Sequence, residues 1–329
     1  MKKNKSLSQF PPLIFNVFKP ARITSYDVIR HYKRHLPNGF GKIGHFGTLD
    51  PFASGVLMIG IGGAARLNDY IHEYMPKTYL AVGKLGIETP TGDYESEIIQ
   101  QDESLYLKRE IASFSAAFIE ESIRNKFLGT YMQAPHKFSA SKFMGRNLHE
   151  WAREGIEVKK EPVLRHIFDL RVVKYSFPYL TIRVDVSSGT YVRTLFADIS
   201  HHLGTIGSLI ALQREAVGNQ LCKNSIRKPF WPLNKSTDVL KYASRVDKIL
   251  TFNTCTLNEI EKTSFKNGAF LKTKKIKINP GQIKAPWIWM LSPDDELLGL
   301  AEQINEAEVR PKINFHSVAQ DESSSDHTP

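Results

Sequence analysis

The stretch "KIGHFGTLDPFASGVLMIGIGGAARL", Lys42 to Leu67, decides how the rest of the chain is read. Its second half contains a continuous apolar run, Val56 to Gly62, which predicts a strand buried on both faces. Its first half, Gly44 to Gly55, is a loop shaped by three glycines and one proline, with a single histidine, His45, and a single acid, Asp50. Pro51 pushes Asp50 towards extended backbone. One reading makes Asp50 a helix cap with proline at the first helical position. Against it, Gly55 arrives too soon for a stable helix, and Gly44 and Gly47 allow the backbone to approach a ligand closely. That second reading makes Asp50 a functional carboxylate. A third reading takes "GIGGAA", Gly60 to Ala65, as a loose dinucleotide fingerprint and the chain as a nicotinamide-dependent oxidoreductase. The fingerprint wants an acid about 20 residues on at a strand end. Glu73 comes too early, and Glu88 is followed by Thr and Pro. Neither G-x-x-x-x-G-K-[ST] nor H-E-x-x-H occurs.

Working outward, "LIFNVFKP" (Leu13 to Pro20) predicts a short strand stopped by proline. "TSYDVIRHYKRHLPNG" predicts a helix capped by Thr24, with Asp27 completing a capping box and Pro37 and Gly39 ending it. "KTYLAVGKLG" from Lys77 predicts a strand, residues 104–128 a helix, and "LTIRVDV" from Leu180 a half-buried strand of period two. "SSGTYVRTLFADISHHLG" turns into an amphipathic helix, with Val192, Leu195, Phe196, Ile199 and Leu203 on one face, Thr190 as its cap and Gly204 at its end. Arg193 then lies at a helix N-terminus, where the macrodipole disfavours a cation by ~0.3–1 kcal/mol. It is either solvated or paired with a buried carboxylate, for which Asp50 is the natural candidate. Such a pair lowers the acid's pKa by ~1–3.

The 329 residues leave room for about two domains. With 44 basic against 34 acidic side chains, the net charge of +10 favours a polyanionic partner. Cys222 and Cys255 form no CxxC pair and no metal cluster, which fits a reducing, cytoplasmic compartment. No apolar run suits a signal peptide or a membrane span. Irregular alternation of strands and helices gives an α+β class. We expect tails at 1–12 and 317–329, a large domain over 13–240, and a β-rich module over 250–316 with a lysine-dense edge from Lys272 to Lys277.

Several ordered segments together resemble the TruB-type tRNA pseudouridine synthases. They are the opening stretch; "KP" and "TS" at Lys19, Pro20, Thr24 and Ser25; "KTYLAVGKLGIETPTGD" with Tyr79 and Asp93; "FSASKFMGRNLHEWAREG" from Phe138; "SSGTYVRTLFADI" with Tyr191 and Arg193; and "LIALQREAVG" with Leu212. The likeness covers about residues 13–235. Phe46 stands where threonine or serine is usual, Phe18 and Arg22 replace a common acid and glycine, and Phe138 replaces tyrosine.

The resemblance implies a central mixed, mainly antiparallel sheet flanked by helices, with a PUA-like C-terminal module. It implies isomerisation of uridine in the T-loop of tRNA, at position 55, without cofactor or metal. Asp50 would be the catalytic aspartate, Arg193 its partner, and Tyr79 the ring stacked on the everted base, with a catalytic part in removing the C5 proton. His45 would help evert it, Tyr191 and Leu212 would wall the pocket, and Asp93 and Lys19 would belong to the substrate site. Lys142 and Arg146, on an RNA-gripping thumb at about 133–160, would contact phosphates. The implied partner is the tRNA T-arm, with no membrane and no obligatory protein partner, the enzyme acting as a monomer. The competing classes are a non-catalytic tRNA-binding or tRNA-folding protein, an RNA-guided synthase of a ribonucleoprotein, and the oxidoreductase above.

Overall fold

The apolar run of the opening stretch forms β3 and lies between two partners. In chain order the large sheet comprises β1 (Leu13–Lys19), β2 (Ile43–His45), β3 (Ser54–Ile61), β4 (Lys77–Leu85), β5 (Gly129–Gln133), β6 (Val163–Ser176), β7 (Tyr179–Val186), β8 (Gly207–Val217), β9 (Gln220–Leu221) and β10 (Ala243–Arg245). The computed structural model describes residues 9–135, 142–147, 150, 151, 154, 156, 158, 161–272 and 276–315. The strand order is β10-β1-β3-β8-β4-β7-β6-β5, with β2 added to β3 and β9 to β8. Only β3 and β8 run parallel among these pairs. Most of the two expected tails and residues 136–141 of the expected thumb lie outside the described residues.

Burial follows strand position. β1 and β3 are nearly continuous apolar runs because both of their faces are covered. Phe15, Val17, Leu57 and Ile59 face α1 (Ser25–His35), which contributes Val28, Ile29 and Tyr32. Ile14, Val56 and Met58 face the other way, towards Ile71 of α2 (Asn68–Tyr74). Thr24 and Asp27 form the reciprocal capping box of α1, and the helix stops at Leu36, which is extended ahead of Pro37. On the other half of the sheet, Ile182 and Val184 of β7 pack under α3 (Ala116–Phe127) and α4 (Val192–His202) through Ile119, Ile123, Leu195, Phe196 and Ile199.

Two local expectations need correcting. Residues 104–128 are not one helix: a separate turn over Leu107–Ile111 precedes α3. Ser115 interrupts them, its hydroxyl accepting from Phe118 N at 3.1 Å as the cap of α3. Thr190 does not cap α4. Its hydroxyl donates to Ser187 O at 2.8 Å, Tyr191 occupies the cap position, and no side chain fills that role.

Residues 253–314 build a second, six-stranded sheet. β10 still pairs with β1, so the large sheet reaches Arg245, beyond the expected limit at 240. The two sheets share one apolar cluster, in which Phe252, Trp289, Leu300 and Ile313 meet Ile14, Val56 and Ile71. Trp287 Nε1 also donates to Tyr74 Oη on α2 at 3.0 Å. Cys222 and Cys255 are both buried and free.

Candidate active site

Asp50 sits on the loop between β2 and β3, and distant side chains hold that loop in place. Asp50 O accepts from Ala53 N at 3.1 Å, which closes a tight turn rather than starting a helix. Ser25 Oγ accepts from Leu49 N at 2.9 Å and donates to Leu49 O at 3.0 Å. The Lys19 ammonium donates to the carbonyls of Pro20, Ile23 and Pro51 at 3.0, 2.7 and 3.2 Å. From β8, Arg214 donates to Val56 O at 2.7 Å, Gly47 O at 3.1 Å and Thr48 O at 3.3 Å. At Gly55, φ is +115° and a Cβ would stand 2.2 Å from Arg214 O, so only glycine allows this close passage beside β8.

The turn presents Asp50 to Arg193 as a two-pronged ion pair. Arg193 Nε lies 3.0 Å from Oδ2, and Nη2 donates to Oδ1 at 3.1 Å. Nη1 donates to Thr91 O at 2.6 Å and lies 3.2 Å from Asp93 Oδ2. Asp93 is oriented by Thr91 Oγ1 at 2.8 Å and Glu95 N at 3.1 Å. Two carboxylates thus offset a cation at the N-terminus of α4, where the helix dipole disfavours it. The pKa outcome differs from the expectation that Arg193 lowers Asp50. Burial pushes the Asp50 carboxyl above its ordinary value; Arg193 pulls it down, and Asp93 pushes it up again. One guanidinium shared between two carboxylates does not overcome the desolvation.

Asp50 opens into a cleft of about 380 Å³. His45, Tyr79, Tyr191, Arg193 and Leu212 line it together. Tyr79, from β4, is 7% exposed, with its hydroxyl 3.4 Å from Arg214 Nη1. Gln133 of β5 clamps the Tyr191 backbone in both directions, accepting from N at 2.8 Å and donating to O at 3.0 Å. Burial, followed by the Arg214 charge, lowers the pKa of His45.

Other expected residues lie elsewhere. Lys19 is fully buried, spends its donors on loop carbonyls and does not line the cleft; burial pushes it down to about 8. Asp93 is 3% exposed and lies behind Arg193, so it holds the arginine and does not line the cleft. Arg146 is paired with Glu150 at 3.6 Å and Glu154 at 2.5 Å, and stacks 4.3 Å over Trp151. The side chain of Lys142, and all of Lys274 and Lys275, lie outside the described residues; Lys272 and Lys277 are exposed. Phe46 faces away from the cleft into the core, where a Cβ on Gly60 would come within 2.6 Å of its ring. Phe18 packs beneath Arg227 at 3.9 Å.

Sequence reasoning missed Arg214, Lys77 and Gln133. Arg214 and Lys77 line the cleft, 1% and 4% exposed. The available signal was a charge interrupting an apolar strand, as in "LIALQREAV".

Residues 33–192 match the family described as TruB family pseudouridylate synthase (N terminal domain). The chain is 34% identical to tRNA pseudouridine synthase B of Clostridium tetani over 296 residues, covering 89% of this chain and 96% of that relative. It is 38% identical to tRNA pseudouridine synthase B of Clostridium kluyveri over 237 residues, 72% of this chain and 77% of the relative. Among solved structures, a Cbf5–Nop10–Gar1 complex has a chain that superposes with a TM-score of 0.64 at 19% identity, covering 92% of this chain and 85% of that one. A chain of an H/ACA RNP bound to a substrate RNA containing 2'-deoxyuridine gives 0.63 at 18% identity, with 93% and 85% covered. At such identities the likeness shows the fold alone.

Proposed function

This chain belongs to the TruB family of pseudouridine synthases, and from that premise we infer that it is a tRNA pseudouridine synthase acting on the T-loop uridine at position 55. The observation that carries the reading is Asp50, fixed by Arg193 on a pinned turn and facing a cleft that also holds Tyr79 and Leu212. In the reaction the N1–C1′ bond breaks, the uracil turns, and C5 bonds to C1′. C5 gives up its proton and N1 gains one, so nothing is consumed. One carboxylate suffices because the leaving base is retained. A glycosidase needs a second acid to activate water. Asp50 faces the sugar. The Arg193 fork keeps the carboxylate oriented and favours its ionised form, as the chemistry requires.

Everting the base costs a few kcal/mol. His45, which lines the cleft, fills the vacated space, and stacking on Tyr79 returns about 1–3 kcal/mol. Leu212 and the Tyr191 backbone, locked by Gln133, wall the uracil. The chain acts alone, without guide RNA or protein partner, and the module over 250–316 adds RNA contacts through its exposed Lys272 and Lys277.

The test is incubation of purified protein with a bare tRNA transcript, followed by site mapping of pseudouridine. Modification at position 55 supports the reading. Tight binding without isomerisation would favour a tRNA-folding protein, and a requirement for guide RNA would favour the ribonucleoprotein class.

A further inference from the structure

Beside the cleft, two cations grip one short turn. Lys77 of β4 is 4% exposed, and its ammonium donates to Ser188 Oγ at 2.5 Å. Arg165 of β6 reaches the same residue, with Nη1 3.4 Å from Ser188 O. Its Nε is buried and has no hydrogen-bond partner. The next residue, Gly189, has φ +81°, and the Arg165 guanidinium lies 3.0–3.1 Å from where a Cβ would stand. A glycine here therefore leaves room for the arginine. Among the described residues, neither cation is ion-paired with a carboxylate, unlike Arg193 only a few residues along the chain. Arg214, which lines the cleft with Lys77, is spent on loop carbonyls. Burial pushes Lys77 down to about 7 and also lowers Arg165.

Burying the Lys77 ammonium and the Arg165 Nε with no carboxylate beside them among the described residues opposes folding. Their donors also remain partly unused: an ammonium has three N–H groups and a guanidinium five. The arrangement suits an anion that arrives from outside. Its position selects the class of anion. Lys77 and Tyr79 alternate onto the same face of β4 and both line the cleft, so an occupant at Ser188 lies next to the nucleoside stacked on Tyr79.

We propose that Lys77, Arg165 and Ser188 form a clasp for a backbone phosphodiester of the substrate RNA, beside the everted nucleotide. The inference rests on the reading of the protein as an RNA-modifying enzyme. The phosphate oxygens accept from the free N–H groups of Lys77 and from the Arg165 guanidinium, giving charge-assisted hydrogen bonds. The Ser188 hydroxyl, which now accepts from Lys77, has its own proton to donate to a third oxygen. The clasp positions the strand and takes no part in the chemistry.

The test measures the salt dependence of binding between the full-length protein and a T-arm stem-loop RNA, for wild type, Arg165→Gln, Arg165→Lys and Lys77→Met. Each neutralised cation should lower the slope of log Kd against log salt by about 0.7. Arg165→Gln and Lys77→Met should each weaken binding on the order of 10-fold at low salt, and raise KM more than they lower kcat. Arg165→Lys should restore the slope, which a purely structural role would not predict. Wild-type slopes in both neutral variants, with isomerisation intact, would overturn the clasp. Should Lys77→Met not fold, the two variants at the partly buried Arg165 decide alone. Wild type that neither binds nor isomerises the RNA overturns the functional reading instead.

Discussion

The loop that carries Asp50 and the expected thumb segment are both short, glycine-containing and rich in charged side chains, yet they are held in opposite ways. The loop around Asp50 is fixed from a distance: Lys19, Ser25, Arg193 and Arg214 reach it from four other parts of the chain. Three of those side chains are buried cations, and the fourth is a buried serine. The described part of the thumb is fixed by itself. Lys142–Phe143 pairs with Arg146–Asn147, Arg146 pairs with Glu150 and Glu154, and Trp151 Nε1 donates to Phe143 O at 3.3 Å. Reacting atoms must be held to a fraction of an ångström, and long-range buried contacts supply that rigidity. A surface that follows an RNA backbone gains from local, exposed contacts that rearrange at little cost.

Arg193→Ala is the hardest test of this contrast. It leaves Asp50 and Asp93 without their shared cation, so chemical denaturation should show a loss of about 3–5 kcal/mol, with activity abolished. Arg214→Met comes next. It strips donors from the carbonyls of Gly47, Thr48 and Val56, and should cost about 3 kcal/mol and lower kcat, measured by urea unfolding and steady-state kinetics. Arg146→Gln should leave the melting temperature unchanged and affect only RNA affinity, because its ion pairs are exposed. A melting shift comparable to that of Arg214→Met would erase the distinction. The smallest effect is a gain. Arg22 has φ +69° where relief of strain favours glycine, so Arg22→Gly should stabilise the protein by up to about 1 kcal/mol.

Protonation offers a further way to sharpen the comparison. Burial raises the Asp50 carboxyl, and the proposed chemistry uses its ionised form. The kcat profile should therefore lose activity as pH falls, starting above the ordinary aspartate range near 4. Asp27, at the exposed cap of α1, is shifted the other way by the Thr24 side chain and backbone. The carboxylate built into the site titrates against its burial, and the one on the surface titrates with its hydrogen bonds.

Legibility in the sequence follows the same division. β3 was readable because a strand covered on both faces must be apolar throughout. The α1 capping box was readable because its two partners are three residues apart. Asp50 with Arg193 could be anticipated because a helix N-terminus makes a cation there anomalous. The contacts of Arg214 and Gln133 could not, although a charge inside an apolar strand marked Arg214 itself. Each acts on a segment remote in sequence, and nothing local marks which carbonyl a strand arginine will hold. The carbonyls held by Lys19 were hidden for the same reason: the resemblance implied a substrate residue, and its ammonium binds three backbone carbonyls. Thr190 misled because its hydroxyl turns back to Ser187 instead of capping α4.

The most direct test of the central claim is single-turnover tritium release from a 5-tritiated tRNA transcript, comparing wild type with Asp50→Asn at saturating enzyme. The account predicts release by wild type and a fall on the order of 10⁴-fold in the variant, with RNA affinity and melting temperature retained. Release by Asp50→Asn at the wild-type rate would contradict it.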